Sequence, residues 1–179
     1  MIYNPLESFK SLILLYIYDF KGRIIKKIGK RNYKPESLSL LEPISFCLDS
    51  DENFYISYHY TPLIQKYSNN GKLLTEITYE VPFKIQKPKV IHRNRNFEVY
   101  TEIVSEGISI DDNGRIFLIA ANRLKTEKEK ELSLKGVLVG KNGSLSFFSP
   151  PKKGVSNPKR DLYKILVFNN SGEIIGNIK

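Results

Sequence analysis

The chain has 179 residues, enough for one domain, and its hydrophobic fraction of 41% is that of a folded protein. A net charge of +9 would attract nucleic acid, anionic membranes or acidic partners, but the scattered Lys residues are also explained by solvation of strand faces and protection of sheet edges, which is the favoured interpretation. The single cysteine, Cys47, excludes an intrachain disulfide, and the many Tyr, Phe, Ile and Val residues favour strands.

The first apolar run, residues 12–17, is far too short to span a bilayer. Pro5 and Glu7 stand where a signal peptide would carry basic residues, and no small-residue cleavage site follows the run. The default expectation is a cytoplasmic protein, unless an export signal is missing with an N-terminal part of the protein.

A first β-hairpin is predicted over about residues 12–30, with Asp19-Phe20-Lys21-Gly22 as its turn. Asp tolerates left-handed backbone and Gly adopts positive φ without steric cost, so this pattern is typical of a tight turn between two strands. The stretch from 21 to 34 is basic and contains no acidic residue; its members include Lys26, Lys27, Lys30 and Arg31.

Two hairpins in succession are predicted over about residues 42–79. The first has an acidic turn that begins at Asp49, and the second has a turn that ends at Gly71. Asp49 and Asp51 here, and Asp111 and Asp112 in the later acidic turn, are candidate calcium ligands, but the ligand count falls short of a calcium loop and turn chemistry explains these residues. No metal site is therefore predicted. Cys47 lies in an apolar run and is expected to be a packed thiol.

The loop between these two hairpins is the best candidate for a ligand-binding surface. Tyr58, His59 and Tyr60 occur together, and Gln65 follows shortly after. The alternative is an ordinary aromatic loop, since neither histidine of the chain has a second ligand at metal-binding spacing.

A linker that is longer than usual, about residues 82–96, precedes the next unit and carries a second basic stretch that includes Lys87, Lys89, Arg93 and Arg95. A further basic group lies between 152 and 160. Because successive side chains of a strand point to opposite faces, a basic run need not form a basic patch.

The last unit is predicted over about residues 100–179, with an inner hairpin at 110–118 and an outer hairpin at 167–178. Residues 122–160 separate the two, and within them Val137–Phe148 is predicted as a further hairpin with an Asn-Gly turn. This segment is either an insertion or the middle of a degenerate blade.

Three outer hairpins therefore repeat, with Gly22, Gly71 and Gly172 at equivalent positions, 49 and 101 residues apart. An inner hairpin followed by an outer hairpin makes a four-stranded antiparallel sheet, the blade of a β-propeller. The predicted fold class is all-β, with four-stranded blades in an open or incomplete ring. The chain holds one half blade and two full blades in a single partial domain.

The pattern of Leu48–Ile77, and of Ile108–Ile178 with the insertion removed, resembles six-bladed propellers of the NHL-repeat type. The resemblance implies ligand binding on a face of the disc, RNA binding in some members and metal-dependent lactonase activity in others. Because propellers need about four to eight blades, the expectation is a fragment of a longer protein or an assembly of copies. Open sheet edges predict self-association.

No nucleophile, phosphate-loop or dinucleotide motif is present, and no cofactor is predicted. The leading interpretation is a non-catalytic binding module for a protein or small-molecule ligand. One alternative is an RNA-binding propeller that uses a basic face. The other is a fragment of a propeller enzyme of the lactonase or lyase kind.

Overall fold

A computed structural model describes residues 13–30, 42–85, 89–93, 96–100, 102–126, 136–139, 145–148 and 161–178. These residues form strands and turns only, and all strand pairs are antiparallel. The sheets are open, with two four-stranded and three two-stranded sheets. The predicted fold class, all-β with antiparallel four-stranded sheets, is confirmed.

Three sheets carry the repeat. The N-terminal sheet pairs β1 (Ile13–Tyr18) with β2 (Ile24–Lys30). The central sheet runs in chain order through β3 (Ile44–Leu48), β4 (Phe54–Tyr58), β5 (Leu63–Tyr67) and β6 (Leu73–Thr78). Two further hairpins are β7 (Lys89–Arg93) with β8 (Asn96–Tyr100), and β11 (Gly136–Val139) with β12 (Leu145–Phe148). The C-terminal sheet joins β9 (Ser105–Ile110), β10 (Ile116–Ala121), β13 (Tyr163–Phe168) and β14 (Ile174–Ile178).

The tight turns of these sheets share one hydrogen-bonding pattern. A side-chain oxygen at the first turn position accepts the backbone N–H groups two and four residues later, at 2.8 to 3.1 Å. The residues that supply this oxygen are Asp19, Asp49, Asp111 and Asn169. In the remaining turn the Ser68 hydroxyl accepts the Lys72 N–H at 3.2 Å. The acidic residues of the turns thus fix the backbone, as turn chemistry predicts.

The fourth residue of each turn has positive φ. Glycine occupies this position in four turns, at Gly22, Gly71, Gly114 and Gly172, with φ between 74° and 88°. The turn after β3 has Glu52 there instead, at φ 60°. In four turns this position therefore carries glycine, which adopts positive φ without steric strain, and in the fifth it carries Glu52.

The three repeat sheets stack face to face, with the central sheet covered on both sides. One apolar cluster joins the N-terminal and central sheets and includes Leu15, Ile28 and Ile56. A second cluster joins the central and C-terminal sheets and includes Ile64, Leu118 and Phe168. All five residues of β4 are therefore buried, as expected for a strand between two packed layers.

The same contact recurs at both sheet interfaces. The turn at Gly71 lies on Lys27 and Ile28 of β2, and the turn at Gly172 lies on Ile77 of β6. A Cβ built on Gly71 would lie 2.8 Å from the Lys27 carbonyl oxygen, and one on Gly172 would lie 2.7 Å from Ile77 Cγ1. Glycine thus allows each outer turn to approach the preceding sheet closely.

The long connections contain the two additional hairpins. Strand β10 pairs directly with β13, so the segment between them is a connection within the C-terminal sheet, and in the described part of that segment β11 pairs with β12. The expected linker at 82–96 instead contains β7 and continues into β8. A hairpin was not predicted at this place, although Val, Ile, Phe and Tyr give both strands high β propensity.

Candidate functional site

Each repeat sheet has two different ends. Tight turns close the first end, here called the turn end, and it is described above. At the other end, here called the connection end, the chain enters β3, β9 and β13 and leaves β6 and β10 through long connections. The residues predicted to bind a ligand, Tyr58, His59, Tyr60 and Gln65, lie in β4, in β5 or between them, close to the connection end of the central sheet.

The backbone of Tyr58 and His59 joins the central sheet to the C-terminal sheet. The His59 carbonyl accepts the Val104 N–H at 2.7 Å, and the Tyr58 carbonyl accepts the Ser105 hydroxyl at 2.8 Å. Val104 and Ser105 are fully buried. The connection ends of these two sheets therefore lie together and are fixed to each other.

The side chain of His59 meets a serine that the sequence analysis did not select. The Ser45 hydroxyl lies 2.9 Å from His59 Nε2 and 3.1 Å from the Glu106 carbonyl oxygen. A carbonyl can only accept, so the hydroxyl donates to Glu106 and His59 Nε2 donates to the hydroxyl. In this arrangement the Ser45 hydroxyl connects β3 to β9, and the His59 ring supports it with a second hydrogen bond.

Tyr58 and Gln65 meet in a buried cluster. The Gln65 amide oxygen accepts the Tyr58 hydroxyl at 2.5 Å and the Tyr67 hydroxyl at 2.9 Å. Its amide nitrogen donates to Glu76 Oε1 at 2.6 Å. Because Gln65 is only 5% exposed, its polar atoms serve this internal network rather than an open surface.

The backbone of Tyr60 contacts a different neighbour, the buried carboxylate of Glu42. Glu42 accepts the Tyr60 N–H at 2.9 Å and the Thr61 hydroxyl at 3.2 Å. Burial, and then the charge of Glu42, raise the pKa of the Tyr60 phenol above its usual value. Nothing in the sequence pattern singles out Glu42, because its partners lie 18 and 19 residues away and meet it only in the fold.

Tyr79 lies at the same end and carries a buried hydroxyl without a hydrogen-bond partner among the described residues. Burial raises the pKa of Tyr79 to about 12, the nearby Ser105 hydroxyl opposes the shift, and Glu42 adds to it. The ring packs edge-on against Phe168, with 6.2 Å between centroids. Tyr79 therefore contributes packing between the sheets.

The connection after β10 is closed at its base by the residues that flank it. The Leu162 carbonyl accepts the Asn122 N–H at 2.8 Å. The Arg123 guanidinium binds both carboxylate oxygens of Asp161, at 3.0 Å each. Strand β11 of this connection lies beside β8 of the preceding one, so the two extra hairpins are neighbours.

The basic residues predicted for nucleic acid are only partly described. Lys26 is partly buried and Lys27 is exposed; because they are adjacent in β2, they lie on opposite faces. The Lys27 ammonium lies 5.8 Å from the Tyr16 ring centroid. Lys30, Lys89 and Arg93 are described as strand residues without their side chains, and Arg31, Lys87 and Arg95 lie outside the described residues.

Charge is distributed unevenly between the connections and the rest of the chain. Residues 31–41, 80–103 and 122–160 contain 17 of the 28 basic residues and 7 of the 19 acidic residues, a net charge of +10. The remaining residues contain 11 basic and 12 acidic residues, a net charge of −1. The positive charge of the protein therefore belongs to the three connections that meet the central and C-terminal sheets at their connection ends.

The turn end has different chemistry. An open depression there is lined by Asn113, Arg115, Asn169, Asn170 and Ser171. Burial opposes ionisation of Asp111, but the Arg115 guanidinium and backbone N–H groups outweigh it and lower the pKa of Asp111. The described residues contain no group of three side chains suited to hold a metal ion.

Cys47 lies at the edge of the cluster between the central and C-terminal sheets. Burial, and then the charge of Asp49, raise the pKa of its thiol to about 11. A thiol with such a pKa is a poor nucleophile, and Cys47 acts as a packing residue. Among the described residues there is no helix long and apolar enough to cross a membrane.

The sequence matches no protein-family model and no curated protein. Among solved structures, it is similar to a protein of unknown function from Bacteroides caccae. The similarity covers 91% of this chain and 73% of that chain, at 10% sequence identity and a TM-score of 0.31. At that level the overlap carries no information on function.

Proposed function

We propose that this protein is a non-catalytic binding module, built on stacked sheets of the propeller type, that binds its partner at the connection end. One observation carries the proposal: all long connections reach the rigid pair of central and C-terminal sheets at one end, and tight turns close the other. Loops held by a rigid scaffold are where proteins most often bind their partners.

The contacts of the described polar groups support binding rather than catalysis. The Ser45 hydroxyl donates to the Glu106 carbonyl and so holds β3 against β9. Asp49 accepts backbone N–H groups and lies 3.3 Å from the Lys66 ammonium. Serine, histidine and aspartate are residue types that enzymes use in catalysis. Here their side chains form hydrogen bonds and ion pairs that hold strands and turns together.

The proposal predicts that the connection after β10 is dispensable for the fold. A variant that replaces residues 127–159 by a Gly/Ser linker of about six residues keeps the Arg123–Asp161 pair at its base. We expect its free energy of unfolding, measured by urea denaturation, to lie within about 1 kcal/mol of the parent, since a shorter loop costs less entropy.

The control places the same linker in the tight turn from Asp111 to Arg115, which closes β9 on β10. That variant should unfold at a clearly lower urea concentration. If the 127–159 replacement instead costs more than about 3 kcal/mol, the connection is part of the core and the proposed binding end is wrong.

The charge of the connections favours a second, more specific candidate, which is nucleic-acid binding at the same end. Their net charge of +10, against −1 elsewhere, concentrates the attraction for phosphate there. Tyr33 and Phe97 lie within the same connections and are of the type that stacks on unpaired bases.

Fluorescence anisotropy with a single-stranded RNA oligonucleotide over a salt series tests this candidate. We expect K87Q with K89Q to weaken binding and to reduce the slope of log K against log salt by about 1 to 2. The matched control, K21Q with K72Q, removes the same charge from exposed turn-end lysines. Equal losses in both pairs, or no binding at low salt, would rule out an RNA interface at the connection end.

A further inference from the structure

At two places in the molecule, an isoleucine of an outer strand contacts the glycine turn of the next sheet. One further isoleucine and one further glycine turn occupy equivalent positions without making this contact among the described residues. Ile28 lies under Gly71, and Ile77 lies under Gly172. Gly22 is the equivalent glycine of the first hairpin, and Ile178 is the equivalent isoleucine of the last strand. Both remain uncovered in the described part of the chain.

The turn at Gly22 has the conformation of its two counterparts but contacts no neighbouring sheet among the described residues. Its φ is 77°, compared with 88° at Gly71 and 86° at Gly172. A Cβ built on Gly22 would meet no atom within 4 Å. The first hairpin therefore presents a free turn of the kind that packs against a sheet elsewhere in the molecule.

The face of the C-terminal sheet that points away from the central sheet carries the row of residues on which such a turn would pack. Across the central sheet, Ser57, Ile64 and Ile77 form one row, and across the C-terminal sheet the corresponding row is Ile119, Ile165 and Ile178. The central row is buried, with Ser57 and Ile64 at 0% exposure and Ile77 at 7%. In the C-terminal row, Ile119 is 42% and Ile178 is 56% exposed.

Position 178 differs from the other exposed aliphatic residues of the outer strands. Ile25, Leu74 and Ile175 occupy a common position, and each is exposed, including the two in sheets that have a following neighbour. Ile28 and Ile77, by contrast, are both buried, and each lies under the turn of the following sheet. Exposure of Ile178 therefore reflects the lack of a packed turn on it among the described residues, whereas exposure of Ile175 is the ordinary state of its position.

We propose that a second copy of this chain docks head to tail, placing its turn at Gly22 on the row of Ile119, Ile165 and Ile178. The occupant must offer a tight hairpin turn with a positive-φ glycine, and the first hairpin is such a turn left uncovered. Because the two surfaces differ, each dimer retains one free turn and one free row. Addition of copies then continues until a ring closes or a filament forms.

Two single variants test the contact, and both change uncovered positions. Gly22→Asn adds a side chain to the turn while keeping a residue that tolerates positive φ. Ile178→Lys places a charge in the exposed row. Ile175→Lys is the matched control, since it changes an aliphatic residue of similar exposure on the same strand. Circular dichroism and thermal unfolding verify that all three fold.

Sedimentation velocity over a concentration series is the measurement. We expect the parent and Ile175→Lys to associate equally, and each of the two test variants to associate at least about tenfold more weakly. An equimolar mixture of Gly22→Asn and Ile178→Lys should form a dimer and nothing larger, because one intact turn and one intact row remain between them.

Three results would overturn the proposal. The first is a parent that stays monomeric at millimolar concentration, which would leave the row for a different chain. The second is undiminished association of both test variants, which would assign self-association to sheet edges. The third is a mixture that fails to form the dimer, which would indicate a symmetric contact instead.

Discussion

At the scale of single residues, the first position of each turn determines much of the local structure. Asp19, Asp49, Asp111 and Asn169 all place a side-chain oxygen on the N–H groups two and four residues later. Hydrogen bonds to the charged form favour ionisation, so the backbone N–H of Arg23 and the Arg23 guanidinium lower the pKa of Asp19. The same oxygens that resemble metal ligands in the sequence are thus occupied by the backbone.

Glu52 is the residue whose backbone conformation costs the most among these turns. It occupies the position that glycine takes in the other four, at φ 60°. We expect Glu52→Gly to raise the free energy of unfolding by about 0.5 to 1 kcal/mol, because it removes the steric cost of left-handed backbone. Urea denaturation measures the difference.

The comparison variant for this position is Glu52→Ala, which keeps a Cβ and therefore the steric cost. It should be close to neutral, since Glu52 is exposed. An equal gain from Ala and Gly would mean that the side-chain charge, and not the backbone, limits the stability of this turn.

At the scale of elements, the approach of each outer turn to the preceding sheet sets how the sheets stack. Gly172 and Gly22 have the same turn conformation, but only Gly172 has a neighbouring sheet beneath it. Substitutions at these two glycines therefore distinguish the free-energy cost of positive φ from the cost of disturbing the close approach of a turn to the neighbouring sheet.

We expect Gly22→Ala to lower the free energy of unfolding by about 1 kcal/mol, the cost of placing alanine at positive φ. Gly172→Ala should lower it by about 1 to 3 kcal/mol more, because the new Cβ would lie 2.7 Å from Ile77 Cγ1 and force the sheets apart. Equal losses in the two variants would show that the sheets separate without cost.

At the scale of the whole molecule, the sequence predicts the sheets better than the site. Local signals such as the Asp-x-x-Gly turn and alternating apolar residues predict strands that pair with their chain neighbours, including β10 with β13 across the connection. The hydrogen-bond partners at His59 are distant in the sequence. Ser45 lies 14 residues before His59, and the Ser45 hydroxyl also donates to the carbonyl of Glu106. Contacts of this kind depend on how two sheets stack, and no local pattern encodes that.

The stacking contact also bears on how such a protein can change in length over evolution. Among the described residues, apolar clusters join each repeat sheet to its neighbour, and an isoleucine meets a glycine turn at both of these interfaces. Gly22 and Gly71 lie 49 residues apart, so duplication of one such segment would add a sheet that already fits both of its neighbours. Gain or loss of a whole repeat segment would leave the interfaces between the remaining sheets unchanged. The number of sheets can therefore vary more easily than the residues that form the contact between two sheets.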